Sequence, residues 1–250
     1  MRAMIFAAGL GTRLRPLTEK LPKCLIQVGG RPMIDYVLLL LERYGIGEII
    51  VNIHHLGPQV EAYLRDGQRF GVEISYSRET ILLDTGGGLL GAKEFLAGET
   101  FVVINSDVLI DLRLDQVIAA HQEQGAAATL VLRRDPMADA YGAIETDQRG
   151  RIERFLTHER PGRAAGPLEK YMFTGVHVIE PGIFEYMAGD SAFSITRTTY
   201  PRMLGQGEPL FGFRYDGKWQ DLGTPETLAR ADQDLLSKVW QPHFLQADPK

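Results

Sequence analysis

Along the first 130 residues, short apolar runs alternate with longer stretches in which apolar positions recur every three or four residues. Residues 3–8, 48–53, 72–77, 101–105 and 128–133 read as strands. The run at 101–105 is almost continuously apolar, as a strand covered on both faces requires. Residues 33–44, 59–65, 89–96 and 114–124 carry the helical period. Pro32 opens the first of these and Gly45 closes it, the usual proline-first, glycine-last asymmetry. Strands and helices alternating at this spacing predict βαβ units and a parallel sheet. After Asp135 the rhythm changes: 141–146 and 151–156 flank Asp147-Gln148-Arg149-Gly150, a hairpin connection. Residues 158–167 read as a surface loop rich in glycine, proline and charge. A strand at 171–179, helices from Pro181 and near Thr198, and a strand at 211–215 follow. Thr224 then caps a last helix with Pro225 in its first turn, and residues from Gln241 onward read as a frayed tail.

Composition narrows the picture. With 44% hydrophobic and 24% charged residues in 250, the chain is an ordinary globular one. Its formal charge of −5 argues against a nucleic-acid surface, and any polyanionic substrate must be held by local cations. A single cysteine, Cys24, excludes an internal disulfide and a cysteine-rich zinc site. Its expected role is that of a small buried hydrophobe. The opening apolar run is too short for a signal-peptide core, and nothing approaches the ~18 apolar residues of a membrane span. The expected location is cytoplasmic, without membrane contact.

The chemistry concentrates at the start. The first strand runs into Gly9-Leu10-Gly11-Thr12-Arg13, with Pro22-Lys23 ten residues further on. Glycines at this point let backbone N–H groups approach a phosphate, on which Arg13 and Lys23 can converge. A dinucleotide fingerprint would need glycine at position 14, where Leu14 stands, and no P-loop pattern exists. Asp107 follows the apolar strand at 101–105, and ligands of open parallel sheets bind at the carboxyl ends of strands. Asp84-Thr85-Gly86-Gly87-Gly88 opens a helix with three glycines, each about 1 kcal/mol worse than alanine in a helix interior. Close backbone approach to a planar ligand would account for that cost.

These features resemble the sugar-1-phosphate nucleotidyltransferase family, the nucleoside-diphosphate-sugar pyrophosphorylases. The matching residues are Gly9, Gly11, Thr12, Arg13, Pro22 and Lys23. The match extends through Asn105-Ser106-Asp107, Tyr141-Gly142, Glu159-Arg160-Pro161 and Trp219-Gln220-Asp221-Leu222-Gly223-Thr224-Pro225, covering about the first 230 residues. The resemblance implies a Rossmann-like, doubly wound α/β fold: a mostly parallel sheet with helices on both faces and a small β-rich sugar-binding insertion. It implies one domain over 1–240, with a nucleotide-binding half at 1–134, a sugar-phosphate-binding half at 135–224, and a helix at 225–240 before the tail at 241–250.

The implied reaction transfers a nucleotidyl group from a nucleoside triphosphate to a sugar 1-phosphate, releasing pyrophosphate, with Mg2+ as cofactor. Arg13, Lys23 and Asp107 would be catalytic. Ala8, Gly9, Gly11, Thr12, Arg13, Lys23, Thr85, Gly86, Gly87 and Asn105 would bind the nucleotide. Asn105, Gly142, Glu159, Thr174 and Gly175 would bind the sugar phosphate, and Asp107 with Asp221 the metal. Two departures stand out: Arg160 replaces the family's usual lysine, and Ser106 a frequent glycine. At 250 residues the chain is expected to lack the long C-terminal extension of many relatives. Within the family it looks most like N-acetylmuramate 1-phosphate uridylyltransferases, so UTP is the expected nucleotide. Mannose- or heptose-1-phosphate guanylyltransferases and glucose-1-phosphate thymidylyltransferases are the alternatives. A non-catalytic nucleotide-sugar sensor is an alternative of another class, disfavoured because Arg13, Lys23, Asp107 and Asp221 are all retained.

Overall fold

The computed structural model describes residues 1–163, 166–187, 189 and 191–246. Residues 164–165 of the expected surface loop and 247–250 of the expected tail lie outside the described residues. The chain divides into two compact units, each assembled from separate stretches of sequence. One comprises Arg2–Leu82, Ile104–Leu112 and Gly217–Lys250; the other comprises Leu83–Val103 and Arg113–Asp216, with Met1.

In the first unit, strands Arg2–Phe6, Glu48–Ile53 and Glu73–Arg78 lie side by side and parallel, with Phe6 opposite Asn52. Ile104–Asn105, the end of strand Phe101–Asn105, flanks Arg2–Phe6 on its other side. Strands Arg2–Phe6 and Glu48–Ile53 bury near-continuous apolar runs, Ala3–Ile5 and Ile49–Val51, as expected of a covered parallel sheet, whereas Glu73–Arg78 is more polar and only partly buried. Helix Met33–Arg43 buries Ile34, Leu38 and Leu41 and packs on strand Val108–Ile110 and on the tight turn Lys23–Leu25. It ends where Gly45 takes a positive φ of 70°, letting the N–H groups of Gly45 and Ile46 return to the carbonyls of Glu42 and Leu41. Strand Val108–Ile110 pairs antiparallel with Trp219–Asp221, and helix Pro225–Leu236 packs against the latter. Thr224 caps this helix: its Oγ1 accepts from the Thr227 N–H at 3.3 Å, and Thr227 Oγ1 accepts from the Thr224 N–H at 3.2 Å.

Residues 241–246 are held rather than frayed. The His243 N–H and Nδ1 meet Asp111 Oδ1 at 2.8 and 2.5 Å, Nε2 meets the Tyr44 hydroxyl at 2.8 Å, and Phe244 is buried.

In the second unit, Ala128–Arg133 lies between Glu169–Ile179, antiparallel, and Leu210–Arg214, parallel. The start of Glu169–Ile179 pairs with Ile144–Thr146, which pairs in turn with Ile152–Phe155. The Asp147–Gly150 turn therefore makes the hairpin its sequence predicts. The expected helix at 89–96 begins earlier, at Asp84, and is interrupted before Lys93–Leu96. The three glycines lie inside its first turns, because the Phe193 carbonyl accepts from the Gly86 and Gly87 N–H groups at 2.8 and 3.3 Å. Among the described residues no helix is long and apolar enough to cross a membrane.

Candidate active site

Strand Arg2–Phe6 releases the chain into a loop whose backbone is open for binding. The N–H groups of Ala8, Gly9, Leu10, Gly11, Thr12 and Arg13 donate to no acceptor among the described residues. The next amide, that of Leu14, closes a tight turn on the Gly11 carbonyl at 2.9 Å. Gly11 has a φ of +63°, and a Cβ there would lie 2.6 Å from Thr18 Cγ2 and 3.1 Å from Lys23 Cβ. Buried Thr18 donates its hydroxyl to the Gly11 carbonyl at 2.9 Å. Gly9 is different: it is exposed and has nothing within 4 Å of where a Cβ would stand. One glycine serves the fold, and the other leaves the approach to the loop clear.

Lys23 stands at the start of the turn Lys23–Leu25, which the buried side chains of Cys24, Leu25 and Ile26 anchor. Its ammonium forms a close ion pair with Asp107 Oδ2. Asp107 lies just beyond strand Phe101–Asn105, and its carbonyl accepts from the Leu222 N–H at 2.8 Å. The ladder that places Asp221 opposite Val108 therefore brings the two aspartates to one end of a two-stranded sheet. Asp221 Oδ2 lies 3.7 Å from Arg13 Nη1. Burial, and after it the Asp107 carboxylate, push the Asp221 carboxyl above its ordinary range, while Lys23, Arg13 and the Gly223 N–H oppose the shift. Gly223 supplies room for this arrangement. A Cβ there would lie 2.7 Å from Asp221 Oδ1 and 2.9 Å from Arg13 Cζ, and would collide with Arg13 Nη2. Ser106 fits without a positive φ and donates its N–H to the Phe6 carbonyl at 3.1 Å, so its departure from glycine leaves the Asp107 backbone undisturbed. Asn105, half-buried at the strand end, belongs to the same unit.

The pair Asp107 and Asp221 fits a small hard dication. Among the described residues no group of three or more metal-ligating side chains forms, so the protein offers two carboxylates. That is the donor set magnesium uses when water and phosphate oxygens complete its shell.

The remaining predicted residues belong to the second unit. Thr85 Oγ1 accepts from the Ile195 N–H at 3.1 Å, and its own N–H donates to Asp84 Oδ1 at 2.6 Å. The close approach to Gly86 is made by Phe193: a Cβ would strike its ring and lie 2.8 Å from its carbonyl oxygen. Gly142 has φ +95° with Leu156 Cδ2 only 2.5 Å from a Cβ position, and Gly175 has φ +89° at a β-bulge. Thr174 is buried and donates Oγ1 to the Val131 carbonyl at 2.8 Å. Glu159 is exposed and ion-paired with Arg154, which holds its carboxyl below the usual range. Arg160 is buried; its guanidinium donates to the carbonyls of Gly207, at 2.7 Å, and Glu208, so its polar reach is spent on backbone.

Sequence reasoning missed Thr18, Asn52 and the spatial role of Gly223. Asn52 carried a signal, a lone amide in an otherwise apolar strand; Thr18 carried none.

The fold and this site define an α/β protein whose first unit carries an open row of loop amides beside a Lys23–Asp107 ion pair and Asp221. The nucleotidyl transferase family model matches residues 2–238, and the chain belongs to that family. It is 35% identical to the UTP–glucose-1-phosphate uridylyltransferase of Synechocystis over 95% of this chain and 64% of that protein. It is 31% identical to the mannose-1-phosphate guanylyltransferase of Mycobacterium tuberculosis over 95% of this chain and 65% of that protein. It thus spans a little under two thirds of the length of either relative. A crystal structure of a Bacillus anthracis protein, provisionally named a glucose-1-phosphate thymidylyltransferase and bound to sucrose, superimposes with a TM-score of 0.82. At 24% identity it covers 98% of this chain and 99% of its own, a likeness of fold.

Proposed function

We propose that this chain is a magnesium-dependent sugar-1-phosphate nucleotidyltransferase that joins a nucleoside triphosphate and a sugar 1-phosphate into a nucleotide sugar and pyrophosphate. The observation that carries this reading is the row of uncommitted amides from Ala8 to Arg13 in the same unit as the Lys23–Asp107 pair and Asp221. Open amides favour an anion with several oxygens, and a lysine beside them adds charge without needing a fixed fork. The attacking group is already an ionised phosphate, so no protein nucleophile or general base is required. Positioning and charge stabilisation carry the rate. The amides and Arg13 would hold the β- and γ-phosphates and the departing pyrophosphate. Lys23 would meet the α-phosphate and the incoming sugar phosphate and offset their repulsion. Asp107 and Asp221 would hold the magnesium ion, which when bound neutralises charge on the phosphate oxygens. Thr85, Gly86 and Gly87 are proposed for the base side. Asn105, Gly142, Glu159, Thr174 and Gly175 are proposed for the sugar side, with Thr174 offering backbone because its hydroxyl is engaged.

UTP is the proposed nucleotide, supported by the uridylyltransferase relative, with GTP next from the guanylyltransferase relative. The sugar is a hexose 1-phosphate: the motif resemblance favours N-acetylmuramate 1-phosphate, and the relatives' names add glucose and mannose 1-phosphates. The test is pyrophosphate release across UTP, GTP, dTTP and ATP against these three sugar phosphates, with magnesium or EDTA. Release with at least one pair, abolished by EDTA and greatly reduced in folded Lys23→Ala, is expected. Absence of release with every pair overturns the proposal.

A further inference from the structure

Asn52 stands in strand Glu48–Ile53 with apolar neighbours on either side and is 3% exposed. A carboxamide so deeply buried needs partners for both ends, because an unsatisfied buried polar group costs about 1–3 kcal/mol. Its Oδ1 accepts from the Ala7 N–H at 2.8 Å, and its Nδ2 donates to Glu79 Oε1 at 2.7 Å. Glu79 is itself buried and fixed through its backbone: its N–H donates to the Ile53 carbonyl at 2.9 Å, and its carbonyl meets His54 Nδ1 at 2.9 Å. The Asn52 amide therefore has one permitted orientation. Turned over, its oxygen would face the Glu79 carboxylate and its NH2 would face the Ala7 N–H, replacing two bonds by two repulsions.

Ala7 is the last amide before the open row from Ala8 to Arg13, and it is the one the protein keeps for itself. Holding it fixes the peptide plane from which the following N–H groups fan out. We infer that Asn52, oriented by Glu79, is a positioning residue for the phosphate-binding loop, acting on the nucleotide through Ala7. This inference rests on reading that loop as the triphosphate site.

The test uses Asn52→Asp, Glu79→Gln and the double variant in the full chain. Asn52→Asp keeps size but sets two carboxylates against each other. In the double variant the new carboxylate still accepts from Ala7, and the new amide donates to it, so the bond returns with its polarity reversed. Titration calorimetry with UTP and with GTP should show nucleotide binding about tenfold weaker in Asn52→Asp, the equivalent of one lost hydrogen bond. The KM for the sugar 1-phosphate should stay within roughly twofold, a split that general loss of structure would not produce. Hydrogen exchange in the peptide covering residues 3–12 should accelerate in Asn52→Asp and return in the double variant. The double variant should bind nucleotide as well as Glu79→Gln alone. Wild-type binding in Asn52→Asp, or a folded double variant weaker than Glu79→Gln, overturns the inference. If Asn52→Asp does not fold, the comparison of the double variant with Glu79→Gln decides. If the wild type releases no pyrophosphate with any substrate pair, the site reading has failed, whereas the exchange measurement still reports on the Asn52–Ala7 lock.

Discussion

Replacing Gly11 by alanine places a methyl group where the chain has no room for one. The residue has φ +63°, a conformation that costs an L-residue about 1–2 kcal/mol. Its Cβ would lie 2.6 Å from Thr18 Cγ2 and 3.2 Å from Thr18 Cβ. Thr18 cannot swing aside cheaply, because it is buried and its hydroxyl is bonded to the Gly11 carbonyl. Overpacking of this kind adds about 1–3 kcal/mol. The expected loss is therefore about 2–5 kcal/mol, a fall in Tm of roughly 5–15 °C for a chain of this size. Urea unfolding followed by far-ultraviolet circular dichroism, with calorimetry for Tm, measures it. Gly9→Ala is the matched control, since nothing lies within 4 Å of the new methyl. Its stability should stay within about 0.5 kcal/mol of wild type, while triphosphate binding falls because the methyl occupies the approach to the amides. A Gly11→Ala protein as stable as wild type would refute the packing argument. A Gly9→Ala protein that binds nucleotide normally would refute the reading of the loop as a phosphate cradle.

Asp221 carries a raised carboxyl pKa, so it favours folding in its protonated form; that contribution is present at acid pH and lost as pH rises through the raised value. Asp221→Asn should therefore raise Tm at pH 8, with the gap closing as the pH falls, while activity is lost. A gap that does not change with pH contradicts the assignment. Burial pushes the Cys24 thiol up to about 12. Native protein should leave a disulfide reagent unreacted at pH 8 and consume one equivalent in urea; prompt labelling of the native state would show that the turn behind Lys23 opens. Thr224→Ala removes the reciprocal cap of helix Pro225–Leu236 and should cost about 1 kcal/mol by urea midpoint; an unchanged midpoint would show that the cap contributes nothing.

Much of this protein could be read along its sequence because the signals are local. Period and punctuation placed strands such as Glu48–Ile53 and helix Met33–Arg43 to within a residue or two, since hydrophobic spacing and the Pro32 and Gly45 boundaries act over one or two turns. The Gly9–Arg13 loop was likewise visible, because a strand running into glycines and an arginine is a contiguous pattern. Other features depend on residues far apart in the chain. Nothing near Gly11 foretells that Thr18 packs on it, nor that Gly86 is a glycine because Phe193, more than a hundred residues away, lies against it. The resemblance assigned Glu159 to the sugar side, and only the structure shows its carboxylate already paired with Arg154 and the neighbouring Arg160 turned inward to backbone carbonyls. By itself, then, the sequence determined most of the longer strands and helices, the loop and the acidic and basic residues available for chemistry, but not the short strands Val108–Ile110 and Trp219–Asp221. Tertiary structure decided which of them meet: the ladder of Val108–Ile110 with Trp219–Asp221 joins Asp107 to Asp221, and Gly223 leaves space for Arg13 beside them. Pairing between strands more than a hundred residues apart is specified by the packing of the whole unit, and no local pattern encodes it.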